Sequence, residues 1–104
     1  MASSKEYLEF ILEQLPGSND TSYRAMMGEF IIYYRGKVVG GIYDDRFLVK
    51  PTESALTMIP NADMEVPYES AKEMILVDDV ENREFLRELL EAMYKELPAP
   101  KKKK

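Results

Sequence analysis

The sequence predicts an α+β domain, an antiparallel sheet covered by helices from the two ends of the chain. Three observations predict it. Residues 26–50, MMGEFIIYYRGKVVGGIYDDRFLVK, read as three short strands joined by two tight turns. Apolar residues recur at helical spacing near the N-terminus and again near the C-terminus. Between these segments, prolines, glycines and paired polar residues interrupt the chain. The predicted element order is α-β-β-β-α-β-β-α.

Ser3 opens the run Ser-Ser-Lys-Glu, a capping-box pattern with Glu6 at the third helical position. Tyr7, Leu8, Ile11, Leu12 and Leu15 then make one apolar face, with Phe10 at its edge. Pro16-Gly17 stops that helix, and residues 18–22 are polar and read as a loop. Arg24 opens the sheet region. Glu29–Tyr34 is rich in β-branched and aromatic residues, which suit a pleated, half-buried surface. Arg35-Gly36 is the first turn, and residues 37–43 are the second strand. Gly40-Gly41 inside that strand marks a bulge or a close backbone approach. Asp44-Asp45 is the second turn, and residues 46–50 are the third strand, ended by Pro51.

Thr52 caps a short helix over residues 52–59, in which Ala55, Leu56 and Ile59 share a face. Residues 64–68 form a strand that Pro67 confines to an edge. A turn through residues 69–71 joins it to a strand over residues 72–77. Asp78 or Asp79 caps the last helix, residues 80–97, which buries Phe85, Leu86, Leu89, Leu90, Met93 and Leu97. Glu91 precedes Lys95 by four residues, an ion-pair order worth about 0.3 kcal/mol.

A chain of 104 residues is one domain by length. Residues 1–98 are expected to fold, and residues 99–104 to form a basic, disordered tail. The chain has no cysteine and no histidine. Disulfides, thiolate chemistry and the histidine-based triads are therefore excluded. The net charge is −5. With the four terminal lysines set aside, 10 of the 14 basic residues remain against 19 acidic ones, a balance of −9. An acidic body repels a phosphate backbone, which argues against nucleic-acid binding by the folded part. No apolar run approaches the roughly 20 residues of a membrane span. The start, MASSKEYLEF, lacks the apolar core of a signal peptide. The expectation is a cytoplasmic protein with no membrane association.

Two pairs of carboxylates, Asp44-Asp45 and Asp78-Asp79, have the chemistry of a Mg²⁺ or Ca²⁺ site. They are also what a hairpin turn and a helix cap require. Tyr33, Tyr34 and Tyr43, with Arg24, Arg35 and Lys37, have the chemistry of a stacking and phosphate surface. Strand alternation lets only part of that set share one face. The glycines lie in and between strands and make no phosphate loop. Of the seven methionines, Met58, Met64, Met74 and Met93 suit gaps in a core, while Met26 and Met27 precede a strand and are expected at the surface. The surface offered to a partner is Met26, Met27, Tyr33, Tyr34, Arg35 and Tyr43.

Residues 24–50 resemble the TfoX/Sxy N-terminal-domain family. The residues that carry the resemblance are Arg24-Ala25-Met26-Met27-Gly28, then Ile32-Tyr33-Tyr34-Arg35-Gly36-Lys37, then Gly41-Ile42-Tyr43-Asp44-Asp45-Arg46-Phe47-Leu48-Val49-Lys50. Glu29 stands where that family usually has a second glycine. The resemblance implies a secretion-chaperone-like fold, α-β(3)-α-β(2)-α, and a stand-alone N-terminal domain. Well-known full-length members regulate natural DNA competence in bacteria and carry a second, C-terminal domain. The resemblance implies no catalytic residue, no cofactor and no metal. It points to a regulator of transcription or competence that binds another protein, with a homodimer as a further expectation. The alternative reading is a small-molecule or metal-binding domain.

Overall fold

The computed structural model describes residues 4–15, 20–26, 28–67, 71–78 and 80–97. The elements are α1 (Lys5–Gln14), β1 (Thr21–Met26), β2 (Glu29–Tyr34), β3 (Lys37–Ile42), β4 (Phe47–Val49), α2 (Glu53–Met58), β5 (Met64–Glu65), β6 (Met74–Leu76) and α3 (Arg83–Tyr94). All strands join one antiparallel sheet in the order β1-β2-β3-β4-β6-β5. The α+β class holds, with helices from both ends over an antiparallel sheet. No described helix is long and apolar enough to cross a membrane.

Each helix start is set by a cap. In α1 the cap is Ser4, one residue later than Ser3. Its hydroxyl accepts from the Tyr7 amide at 3.1 Å, and its own amide donates to Asp45 Oδ1 at 2.8 Å. That tertiary contact selects between two adjacent serines, which local sequence cannot do. Leu15 is extended (φ −93°, ψ 166°), as a residue before proline must be. Thr52 caps α2 as expected, accepting from Ala55 at 3.1 Å. Ala55 is buried, but Leu56 is 47% exposed. A helix of six residues is too short to bury both neighbours. Asn82, not Asp78, caps α3 by accepting from Phe85 at 3.0 Å. Asp78 is in a turn whose carbonyl takes the Val80 amide at 2.9 Å. Asp79 lies outside the described residues.

Strand β1 is a correction. Residues 18–22 are predicted as a loop, yet Thr21 begins a strand that pairs with β2 over six residues. Four of its residues are Thr, Ser, Arg and Ala, and all but Thr21 are exposed. It owes its conformation to its neighbour's ladder and shows no apolar alternation of its own.

The two tight turns are as predicted. Arg35 (φ 50°) and Gly36 (φ 86°) both take positive φ, as do Asp44 (φ 54°) and Asp45 (φ 57°). Paired positive φ marks the type I′ hairpin, whose twist matches the strands. Tyr43 and Arg46 close the second turn with amide–carbonyl bonds of 2.9 and 3.0 Å.

The Gly40-Gly41 signal is also realised. Ile32 pairs with Gly40 and Tyr33 with Val38, so Val39 is the extra residue of a bulge. A Cβ on Gly40 would overlap the Leu48 carbonyl oxygen and come within 2.7 Å of Val49 Cα. One on Gly41 would come within 2.6 Å of the Phe30 carbonyl oxygen.

The core lies on one face of the sheet. Leu8 and Ile11 of α1, Ala55 of α2, and Leu86, Leu89, Leu90 and Met93 of α3 pack there against Ile32, Tyr34, Val39, Ile42, Phe47, Val49 and Ile75. Phe10 and Phe85 are only partly buried, and Met64 is exposed.

Gly40→Ala is expected to cost about 3 kcal/mol or to abolish folding, because backbone on the next strand must move. Gly36→Ala, strained by its positive φ at an exposed turn, should cost about 1 kcal/mol. Urea unfolding midpoints at constant m-value check the ranking.

Candidate interaction face

Ladder register sorts the strand residues into two faces. One row, Tyr23–Ile32–Gly40–Val49–Ile75, belongs to the core side. The next, Arg24–Ile31–Gly41–Leu48–Leu76, points away from the helices. On that second face Ser22, Tyr33 and Val38 also align, and Met26 lies opposite Glu29. Tyr43 joins them, because its ring lies where a Gly41 Cβ would go, with Cε2 2.7 Å away. All three helices pack on the core side. Leu48 is nevertheless fully buried, while Ile31, Tyr33, Val38, Tyr43, Met74 and Leu76 are half-buried and Arg24 is exposed.

Three of the residues singled out from sequence therefore share one surface: Met26, which is 47% exposed, Tyr33 and Tyr43. Met27 lies outside the described residues. Tyr34 does not belong to this surface. Alternation turns it into the core, where it is 1% exposed.

Beside Tyr43 lies a groove of about 340 Å³ with an apolar floor that includes Val38, Gly40, Pro51, Pro67 and Met74. Lys50, Lys72 and Glu73 also line it. Sequence reasoning missed it, because its walls come from β3, the loop after β4 and the start of β6. The one legible signal was Pro67, which marks an edge.

Arg35 sits at the far end of the sheet and is already engaged. Its Nη2 lies 3.1 Å from Glu91 Oε2, and its Nε donates to Asp20 Oδ1 at 3.4 Å. Its guanidinium carbon is 5.0 Å from the Tyr34 ring centre and 5.7 Å from that of Tyr94. Tyr34 donates its hydroxyl to Glu91 Oε2 at 2.6 Å. Lys37 donates to the Tyr94 carbonyl at 3.0 Å, satisfying a free carbonyl at the end of α3, and lies 4.2 Å from the Tyr94 ring centre. Glu91 thus turns to Tyr34 and Arg35 rather than to Lys95. Burial, reinforced by the Glu91 hydrogen bond and charge, pushes the Tyr34 hydroxyl up to about 12. These contacts fasten the first hairpin to α3 through Arg35 and Lys37.

The first pair of carboxylates does a structural task. Asp44 and Asp45 form the turn, and Asp45 receives the α1 start. The Asp44 amide donates to Glu29 Oε1 at 3.2 Å. Among the described residues no three Asp, Glu, His or Cys side chains converge as a metal site. The tail at 101–104 lies outside the described residues.

Compared with known proteins, the chain is 34% identical over 105 aligned positions to an "uncharacterized 12.7 kDa protein in trpE 5′ region" of Spirochaeta aurantia, covering 100% of this chain and 91% of that relative. No family model matches the chain. No solved structure matches it.

Below pH 10 the neutral Tyr34 hydroxyl holds its bond to Glu91. Its pKa in the folded state is raised above the ordinary 10, so that stability is lost as the pH climbs from 10 toward 12. Tyr34→Phe should cost about 1.5 kcal/mol at neutral pH, and its difference from the parent should shrink across that window. Urea titrations of both proteins from pH 8 to 12 measure it.

Proposed function

We propose that this chain, which belongs to the same family as the 12.7 kDa protein of Spirochaeta aurantia, is a TfoX/Sxy-type regulatory domain that binds another protein. It acts in the cytoplasm, in transcription or competence control, and catalyses no reaction. It works as a homodimer.

One observation carries the interaction reading, the sheet face opposite the helices. Ile31, Tyr33, Val38, Tyr43 and Met74 are left half-buried there, with Met26 exposed at its end. Tyrosine and methionine are enriched at protein interfaces, where a rigid apolar body carries a polar tip or adapts its shape. Arg24 and Lys50 border this apolar strip and supply the polar rim. The resemblance over residues 24–50 supports the TfoX/Sxy assignment, since the same segment builds β2, β3, β4 and both type I′ turns.

A second reading, a small-molecule domain, is favoured by the groove beside Tyr43. Its apolar floor with two lysines suits an anionic ligand with an apolar body.

Affinity capture from the source lysate tests the first reading. The parent chain and a chain lacking residues 101–104 should both retain an RNA polymerase subunit or a transcription factor. Tyr33→Asp should lose it at least tenfold while keeping its circular-dichroism spectrum. Capture indifferent to both Tyr33→Asp and Tyr43→Asp would sink the assignment of this face. Saturable binding of an anionic apolar probe such as anilinonaphthalene sulfonate that Val38→Trp, which fills the groove, abolishes while protein capture persists would favour the small-molecule reading.

A further inference from the structure

The two edges of the sheet are built differently. At one end β5 pairs over only two residues, and Pro67 follows shortly after. Short strands and prolines blunt an edge against further pairing. At the other end β1 runs six residues in unbroken register with β2, without proline or bulge. Ser22 and the four residues after it are exposed.

Ladder alternation fixes which backbone groups of β1 remain open. The Arg35 amide donates to the Asp20 carbonyl at 2.6 Å. Every second residue therefore also bonds to β2, namely Ser22, Arg24 and Met26. Thr21, Tyr23 and Ala25 turn their N–H and C=O groups away from β2; Tyr23 and Ala25 are exposed there, and Thr21 is 7% exposed. That outward set is symmetric about Tyr23.

We propose that two copies of this chain join edge to edge through β1, antiparallel and centred on Tyr23, so that their sheets form one of twelve strands. The proposal rests on the homodimer reading above and supplies its strand and register. Tyr23 faces Tyr23 of the second copy, and Thr21 faces Ala25. Three features select a second copy in this register. The donors and acceptors complement themselves, as a two-fold interface requires. On the helix side Tyr23 is 43% exposed and meets Phe30 edge-on at 5.8 Å, so pairing makes a continuous aromatic row, Phe30–Tyr23–Tyr23–Phe30. On the opposite side Ser22 faces Arg24 of the second copy. Centring on Arg24 would also match the open backbone groups, but it would set the two Arg24 side chains directly opposite each other, a like-charge pair. Because the β5 edge is blunted, a pair formed through β1 closes and does not propagate into a fibre.

The chain has no cysteine, which makes the register directly measurable. Ser22→Cys and Arg24→Cys are prepared as separate full-length proteins, mixed and oxidised. Opposed residues that do not share hydrogen bonds have Cα atoms about 4.5 Å apart, within disulfide reach. Two copies of the same position are offset by two residues, roughly 8 Å apart, beyond that reach. The mixture should form a cross-linked dimer, and each variant alone should form little. In sedimentation the parent should be a dimer at tens of micromolar. Ala25→Pro removes only an outward N–H, so it should keep its spectrum and weaken the dimer at least tenfold. A parent that stays monomeric up to its solubility limit overturns both this pairing and the homodimer reading. A parent dimer whose Ser22→Cys and Arg24→Cys forms do not cross-link on mixing, or cross-link equally well alone, overturns the β1 pairing and leaves the homodimer reading standing. Should Ala25→Pro fail to fold, the cross-linking result decides.

Discussion

The extra residue in β3 is the constraint on which the two faces of the sheet depend. Val39 and Ile42 both enter the core, although they are three positions apart. In a regular strand that odd spacing would send them to opposite faces. Val38 and Tyr43, five apart, both lie on the other face for the same reason. The bulge at Val39 resets the alternation midway along the strand. Gly40 and Gly41 then let β4 and β2 approach where any Cβ would collide with backbone. Core packing and the candidate interaction face are thus two consequences of one local irregularity.

The second fastening is the contact between the first hairpin and the end of α3. Its ion pairs are exposed, and pairs of that kind contribute at most about 1 kcal/mol each. The buried ring of Tyr34 and the edge-on contact with Tyr94, at 5.8 Å, contribute more. Charge here sets geometry more than stability. Glu91 receives the Tyr34 hydroxyl and the Arg35 guanidinium together, which fixes the turn against the helix. At the opposite end of the sheet, Asp45 does the same for α1. Both hairpin turns are tied to a helix on the core side, which leaves the other side of the sheet uncovered by the three helices.

Placing three helices on one side of a six-stranded sheet has a structural consequence for its other face. The second face keeps half-buried tyrosine, isoleucine and methionine, and one long edge stays exposed. A homodimer through that edge would join two such faces side by side in one surface. A protein partner reading both copies would gain by avidity, since its second contact becomes intramolecular.

Local chemistry by itself determined a good deal. Helical periodicity identified the buried faces of α1 and α3, since those residues meet the core whatever the topology. Both type I′ turns were legible, because glycine and aspartate tolerate the positive φ that the hairpin twist requires. The glycine pair announced the bulge, and Thr52 announced α2. Only the tertiary structure decided the rest. It chose Ser4 over Ser3 through Asp45, and Asn82 over Asp78. It added β1, whose exposed residues carry no hydrophobic pattern, because an edge strand is held by its neighbour's backbone and not by its own side chains. It sent Tyr34 inward and Tyr33 outward. It also assembled the groove from residues as far apart as Val38 and Met74, since contacts across a sheet depend on strand order and register, which lie between segments and not within them.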